Sequence, residues 1–149
     1  MILSAHLLIQ SIYKAINDRN VARAMEAIDP DCLYQDLNFA RPFQGKAEVE
    51  ELLMESCQKM PVDLRFVIDD ITTGDSRAVG ILWHVELGDI PLPNGRGVSF
   101  CRISETTGKL IFARDLVEPT IKPGKGAFLI LRLIAPLARF LKQKTAPAP

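Results

Sequence analysis

The stretch Asp31–Leu53, DCLYQDLNFARPFQGKAEVEELL, sets a short apolar run, an acid, a turn and a helix in one order, and the rest of the chain reads as a wall around it. Cys32 to Leu37 has the β-forming content of a strand. Alternate strand positions share a face, so Cys32, Tyr34 and Asp36 point one way and Leu33 and Gln35 the other. Arg41-Pro42 and Gln44-Gly45 then break the chain. Beyond them, KAEVEELLMESCQKM carries Val49, Leu52, Leu53, Cys57 and Met60 at the spacing of one helix face.

Upstream, residues 4 to 17 place Leu7, Leu8, Ile12, Tyr13 and Ile16 three or four apart, which predicts a first helix stopped by Asn17-Asp18. Val21 to Ile28 predicts a second, closed by Asp29-Pro30 because proline disfavours the helical conformation in the residue before it. Downstream of Pro61 the period changes to two. Val62, Leu64, Phe66 and Ile68 alternate with Asp63 and Arg65, which predicts a half-buried strand to about Thr72, and the turn Thr73-Gly74-Asp75-Ser76 follows. In the strand from Arg77 to Leu87, Val79, Ile81, Trp83, Val85 and Leu87 share one face, so Trp83 is expected inward and His84 outward. Gly88 to Gly97, with Pro91, Pro93 and Asn94-Gly95, reads as a long rim loop. Gly97 to Glu105 and Lys109 to Glu118 are two further strands. Helices first and then consecutive antiparallel strands make an α+β domain whose sheet curls over the helices. The expected organisation is a domain over 1–121, a basic apolar helix over 122–144 packed on it, and a disordered tail over 145–149.

The 149 residues are 48% apolar, enough for one substantial core. Formal net charge is zero but unevenly spread: Lys122, Lys125, Arg132, Arg139, Lys142 and Lys144 lie beyond position 119 with no acid among them. That leaves 12 basic against 18 acidic residues in 1–119, a body of net −6, which is a poor nucleic-acid surface. Cys32, Cys57 and Cys101 are odd in number and have no CxxC spacing, so neither a disulfide framework nor a metal site is suggested. The apolar start MILSAHLLI lacks a basic region before it and a cleavage site after it. The expectation is a soluble cytoplasmic chain without a cofactor.

Asp36 followed nine positions later by a helix-opening Gly45 resembles the ketosteroid isomerases of the cone-shaped NTF2-like superfamily, which also holds nuclear transport factor 2 and the SnoaL cyclases. The resemblance implies an NTF2-like cone, with N-terminal helices in the concave face of a curved, mostly antiparallel sheet. It makes Asp36 the counterpart of a general base. The family's oxyanion-hole tyrosine falls on Ile12, with Tyr13 one step away, and its protonated acid falls near Ser99, so steroid isomerase activity itself is not expected. The Trp83-His84 strand, RGxSF at Arg96 to Phe100 and ARDLVEPTIKPG from Ala113 to Gly124 resemble uncharacterised SnoaL-like proteins of cyanobacteria and plant plastids. By that pattern Ala113, Asp115 and Val117 line the interior, and Asp115 matches a catalytic acid of the cyclases. Alternation alone leaves this strand open, since Leu110, Phe112, Arg114 and Leu116 make an equally plausible inner face.

Asp36 and Asp115 are thus the candidate acid/base pair. Tyr13, Tyr34, Phe66, Trp83, Ser99 and Cys101 are the candidate binding residues. The competing reading has Asp36 accepting backbone hydrogen bonds at its strand end and Asp115 paired with Arg102 or Arg114. Three functions follow: cofactor-independent acid/base chemistry of isomerase or cyclase type on a small apolar molecule, a noncatalytic carrier of such a molecule, or a dimeric interaction module. A homodimer through the outer sheet face around His84, Glu86 and Arg102 is expected. For AFLILRLIAPLARFL, kinked at Pro136, two readings stand: cover for an apolar surface of the cone or of a second subunit, or peripheral contact with an anionic membrane.

Overall fold

The computed structural model describes residues 4–145, with side chains as far as Lys142. Residues 146–149 of the expected disordered tail lie outside the described residues, whereas Thr145 is helical. Ala5, Ile9, Ile12 and Ala15, spaced by three and four, form the buried stripe of α1 (Ala5–Asn17). Its end is a Schellman turn: the Asn20 amide donates to Ala15 O at 2.8 Å and the Arg19 amide to Ile16 O at 3.0 Å. Arg19 holds the left-handed position at φ 57°, where glycine is usual. Its guanidinium offsets that strain by donating to Pro61 O at 2.7 Å and Leu64 O at 2.9 Å. α2 (Val21–Glu26) is capped by Asn20, whose Oδ1 accepts from the Arg23 amide.

The chain continues as β1 (Ile28–Asp36), β2 (Phe43–Gln44), α3 (Gly45–Lys59), β3 (Leu64–Ile71), β4 (Ala78–Leu87), β5 (Ile90–Ile103) and β6 (Leu110–Val117). They form a six-stranded sheet in the order β2-β1-β6-β5-β4-β3, with β1 and β6 parallel and the other pairs antiparallel. Gly45 opens α3 at φ 79°, a conformation that glycine adopts without cost. α3 buries Val49, Leu52 and Leu53. The edge strand β3 is tied to α1 by Asn17, whose side chain donates to Phe66 O at 2.8 Å and accepts from Phe66 N at 2.9 Å, in place of a neighbouring strand.

Two expectations are corrected. The second helix ends at Glu26 and β1 already begins at Ile28, because Pro30 sits where the β1–β6 register shifts and no ladder amide is needed there. The expected rim loop from Gly88 to Gly97 is mostly strand: Leu87 pairs with Ile90 across a two-residue turn with Gly88 at φ 61°. Pro91 is still in register opposite Glu86, and Pro93 falls in the irregularity that follows, between the Glu86–Pro91 and His84–Arg96 pairs, where extra residues on β5 bulge out.

The chain divides into two compact units, residues 1–118 and 119–149. In the second, α4 (Gly126–Thr145) contains Pro136.

Candidate functional site

The register of β1, β4, β5 and β6 aims one set of alternating residues at α1 and α3, and a cavity of about 280 Å³ remains between them. Asp36, Trp83 and Asp115 line this one space, as do Tyr13, Tyr34, Phe66 and Cys101. Leu110, Ala113, Asp115 and Val117 line it from β6; the ladder to β5 slips between Leu110 and Phe112, and beyond that slip the Ala113, Asp115 and Val117 side faces inward. Apart from the two carboxylates and a few hydroxyl and amide groups, the wall is apolar, with Ile9, Ile12, Ile16, Leu53 and Val85 among its members.

Glycine at the centre of β5 makes the aromatic wall possible. A Cβ at Gly97 would stand 2.1 Å from Trp83 Cζ2. Only a bare backbone lets the indole lie across β5, where it meets the Phe66 ring edge-on at 5.5 Å and Phe66 in turn meets Tyr13 at 6.4 Å.

The polar part of the site converges on Asp115. Tyr34 Oη donates to its Oδ2 at 2.5 Å and Ser99 Oγ to its Oδ1 at 2.5 Å. Ser99 lies behind the wall, 2% exposed, and accepts from Trp83 Nε1 at 2.9 Å. An indole N–H can only donate, and the single Ser99 proton is committed to Asp115. Tyr13 Oη, 3.3 Å from Ser99 Oγ, is therefore the donor of that contact as well. The four groups form a directed chain that ends on one carboxylate.

Burial raises the Asp115 carboxyl above the ordinary range; the bonds from Ser99 and Tyr34 pull the other way, and Asp36 adds to the rise. Asp36 is its direct neighbour across the parallel β1–β6 ladder. Burial, with Asp115 next in effect, also raises the Tyr13 and Tyr34 phenols, so both remain hydrogen donors at neutral pH. The same causes in the same order raise the Cys101 thiol, and burial pushes Cys32 up to about 12, which leaves neither as a ready thiolate.

The ion pair considered for Asp115 is replaced by these hydroxyls. Arg114 faces away, donating to Gln35 Oε1 at 2.7 Å and lying over Phe112, while Arg102 lies over Phe100. Among the described residues no lysine or arginine pairs with Asp115. For Asp36 the structure shows both features at once: it lines the cavity, and its Oδ1 accepts from the Asn38 amide at 2.9 Å as a strand-end turn. His84 faces outward between Asp69 (2.7 Å) and Glu86 (3.0 Å). Among the described residues no group of three histidine, cysteine or acidic side chains is arranged to hold a metal ion.

Sequence reasoning missed Gly97, Asn17 and the linking position of Ser99. A glycine in mid-strand is a legible sign of close approach. An asparagine that ends a helix carries no such sign of bonding to a strand 49 residues away.

The SnoaL-like domain family model matches residues 9–112. No curated protein matches the chain. Among solved structures, a candidate ketosteroid isomerase from Kribbella flavida is 18% identical, with a TM-score of 0.62 over 79% of this chain and 80% of the other. A candidate isomerase of the SnoaL-like family from Agrobacterium tumefaciens is 18% identical, with a TM-score of 0.60 over 76% and 97%. A cystatin-like-fold protein of unknown function from Nostoc punctiforme is 15% identical, with a TM-score of 0.63 over 81% and 98%. At these identities the likeness is one of fold, the α+β cone with its curved sheet.

Proposed function

We propose a ligand-binding function with acid/base capability for this chain, which belongs to the SnoaL-like domain family: the cone binds a small, neutral, apolar molecule bearing a carbonyl or hydroxyl group, and Asp115 exchanges a proton with it. The observation that carries this reading is a carboxylate held by Tyr34 and Ser99 on the wall of an apolar cavity, with no lysine or arginine paired to it among the described residues. A cavity of about 280 Å³ is roughly twice one that admits benzene, which suits a bicyclic ligand of about 10 to 12 heavy atoms.

The chemistry follows from hydrogen counting. Ionised Asp115 accepts from Tyr34 and Ser99 and keeps lone pairs for a ligand proton. When it takes that proton on one of those lone pairs its charge is lost, so the bonds from the two donors facing it weaken and one donor is freed to turn. Ser99 is constrained by Trp83, so Tyr34 is the group that turns, accepting from Asp115 and offering its own proton to the ligand oxygen. One proton arrives at a carboxylate and another becomes available at a phenol, the pairing that enolisation beside a carbonyl requires. Asp36, at the strand end, supplies a second negative charge that favours proton uptake by Asp115.

The carrier reading rests on the same cavity and differs in turnover alone. The interaction-module reading is weakened by a cone that side chains do not fill. Our proposal includes a homodimer: Leu82, Val98 and Leu116 lie side by side on the outer face of β4, β5 and β6, with Phe100 beside them, all exposed. The finer grouping with cyanobacterial and plastid proteins, suggested by ARDLVEPTIKPG, adds no substrate.

Trp83 is the only tryptophan, so its emission reports on the cavity wall. Titration with 2-tetralone should quench or shift that emission at lower concentration than titration with tetralin, the same skeleton without the carbonyl. Asp115→Leu should narrow the difference. Equal response to both compounds in the wild type overturns the polar anchor, and no response to either overturns the binding cavity.

A further inference from the structure

α4 is 20 residues long, about 30 Å at 1.5 Å per residue. At 3.6 residues per turn, Lys125, Arg132 and Arg139 fall within about 40° of one another on the helix surface. Leu137, Ile130 and Ile134 fill the opposite arc, with Leu133 at its margin about 100° from Arg132. Leu133 is 67% exposed, Leu137 57% and Ile134 52%. A contiguous apolar strip of this length is more than soluble monomers leave in water, which marks it as a contact surface.

Charge decides between the possible occupants. From Pro119 to the end the sequence holds six lysines and arginines and no aspartate or glutamate. A second α4 would bring like charges together, whereas the headgroups of an anionic bilayer complement Arg132 and Arg139 at about 1 kcal/mol each. Pro136 fits the same surface. It deprives the Arg132 carbonyl of its helical partner, and that carbonyl lies on the cationic side, where water and headgroups can reach it. No helix among the described residues is long and apolar enough to cross a membrane, so α4 has the character of a helix that lies in the plane.

We propose that α4 is a membrane-surface helix that docks the protein on anionic lipid, with Ile130, Leu133, Ile134 and Leu137 in the acyl boundary and the Arg132–Arg139 stripe among the headgroups. The test is co-sedimentation of the full chain with vesicles of phosphatidylcholine alone and of phosphatidylcholine mixed with phosphatidylglycerol, at low and high salt. The chain should sediment with the mixed vesicles alone and be released by salt, since surface charge is screened. Arg132→Gln with Arg139→Gln, both exposed and harmless to the fold, should weaken partition about 30-fold. Leu133→Ser with Leu137→Ser should abolish it while the variant still melts cooperatively. Equal binding to both vesicle types, or none by the intact chain, overturns the proposal. So does a lipid-free oligomer that Leu133→Ser with Leu137→Ser dissolves without any vesicle binding, because it places a second copy on the stripe.

Discussion

Replacing Gly97 by alanine tests how the cavity wall is built. The new methyl carbon would stand 2.1, 2.4 and 2.5 Å from Trp83 Cζ2, Cη2 and Cε2. Carbon atoms are comfortable at about 3.5 to 4.0 Å, so the indole must retreat by more than about 1 Å. That retreat stretches the 2.9 Å bond from Trp83 to Ser99 and disturbs the edge contact with Phe66. Overpacking costs about 1 to 3 kcal/mol and the lost hydrogen bond about 1 kcal/mol. The sum, about 2 to 4 kcal/mol, corresponds to a fall in Tm of roughly 10 °C for a domain of this size. Circular dichroism reads the melt, and emission from the single tryptophan should shift to the red as the ring leaves its pocket. The control is a double-mutant cycle with Trp83→Leu, whose shorter side chain ends before the clashing ring atoms. In that background Gly97→Ala should cost less than about 1 kcal/mol. Equal cost in both backgrounds, or unchanged emission, would refute the claim that Gly97 exists to admit the indole.

Three further outcomes are expected. Asn17→Ala leaves the edge amide and carbonyl of Phe66 without their side-chain partner and should cost about 1 to 3 kcal/mol by chemical denaturation, and Asn17→Asp, which keeps the acceptor for the amide but sets a second oxygen against the carbonyl, should not rescue it. The bonds from Glu86 and then Asp69 raise the His84 imidazole above its ordinary value, so its stabilisation is complete below pH about 6.5 and is lost as pH rises through the higher folded value. The thermal midpoint of wild type should fall across that window and that of His84→Gln should stay flatter; parallel profiles would contradict this. Sedimentation velocity should find a dimer at micromolar concentration that Val98→Lys with Leu116→Lys converts to monomer, and a wild-type monomer would exclude the outer-face interface.

The alternation of β4 placed Trp83 inward and His84 outward without help, because strand periodicity and burial agree there. The span of α3 from Gly45 was equally legible, since its break and its apolar spacing coincide. On β6 two faces of similar hydrophobicity competed, and only long-range pairing with β1 and β5 places Asp115 inside. The bond from Ser99 to Asp115 was illegible for the same reason: it joins residues 16 apart through a register that local pattern does not encode. Pro91 and Pro93 misled toward a loop, because the pairing and the bulge that accommodate them depend on the partner strand. Asp36 and Asp115 were named as a pair from sequence, yet their surroundings differ. One is turned to a backbone amide at the strand end and the other is held by two hydroxyls deeper in the cone.

Proton exchange at an enolisable ketone tests the central claim, that Asp115 is a working proton acceptor in a ligand cavity. Incorporation of deuterium from D2O beside the carbonyl of 2-tetralone can be followed by proton NMR, with wild type and Asp115→Asn at equal concentration. The amide keeps the size of the side chain and can still bond both Tyr34 and Ser99, but it cannot take up the proton. Wild type should accelerate exchange above buffer, and the variant should lose about 100-fold or more of that acceleration, as removal of a general base does. Exchange by Asp115→Asn at the wild-type rate, or none above buffer by the wild type, would contradict the account.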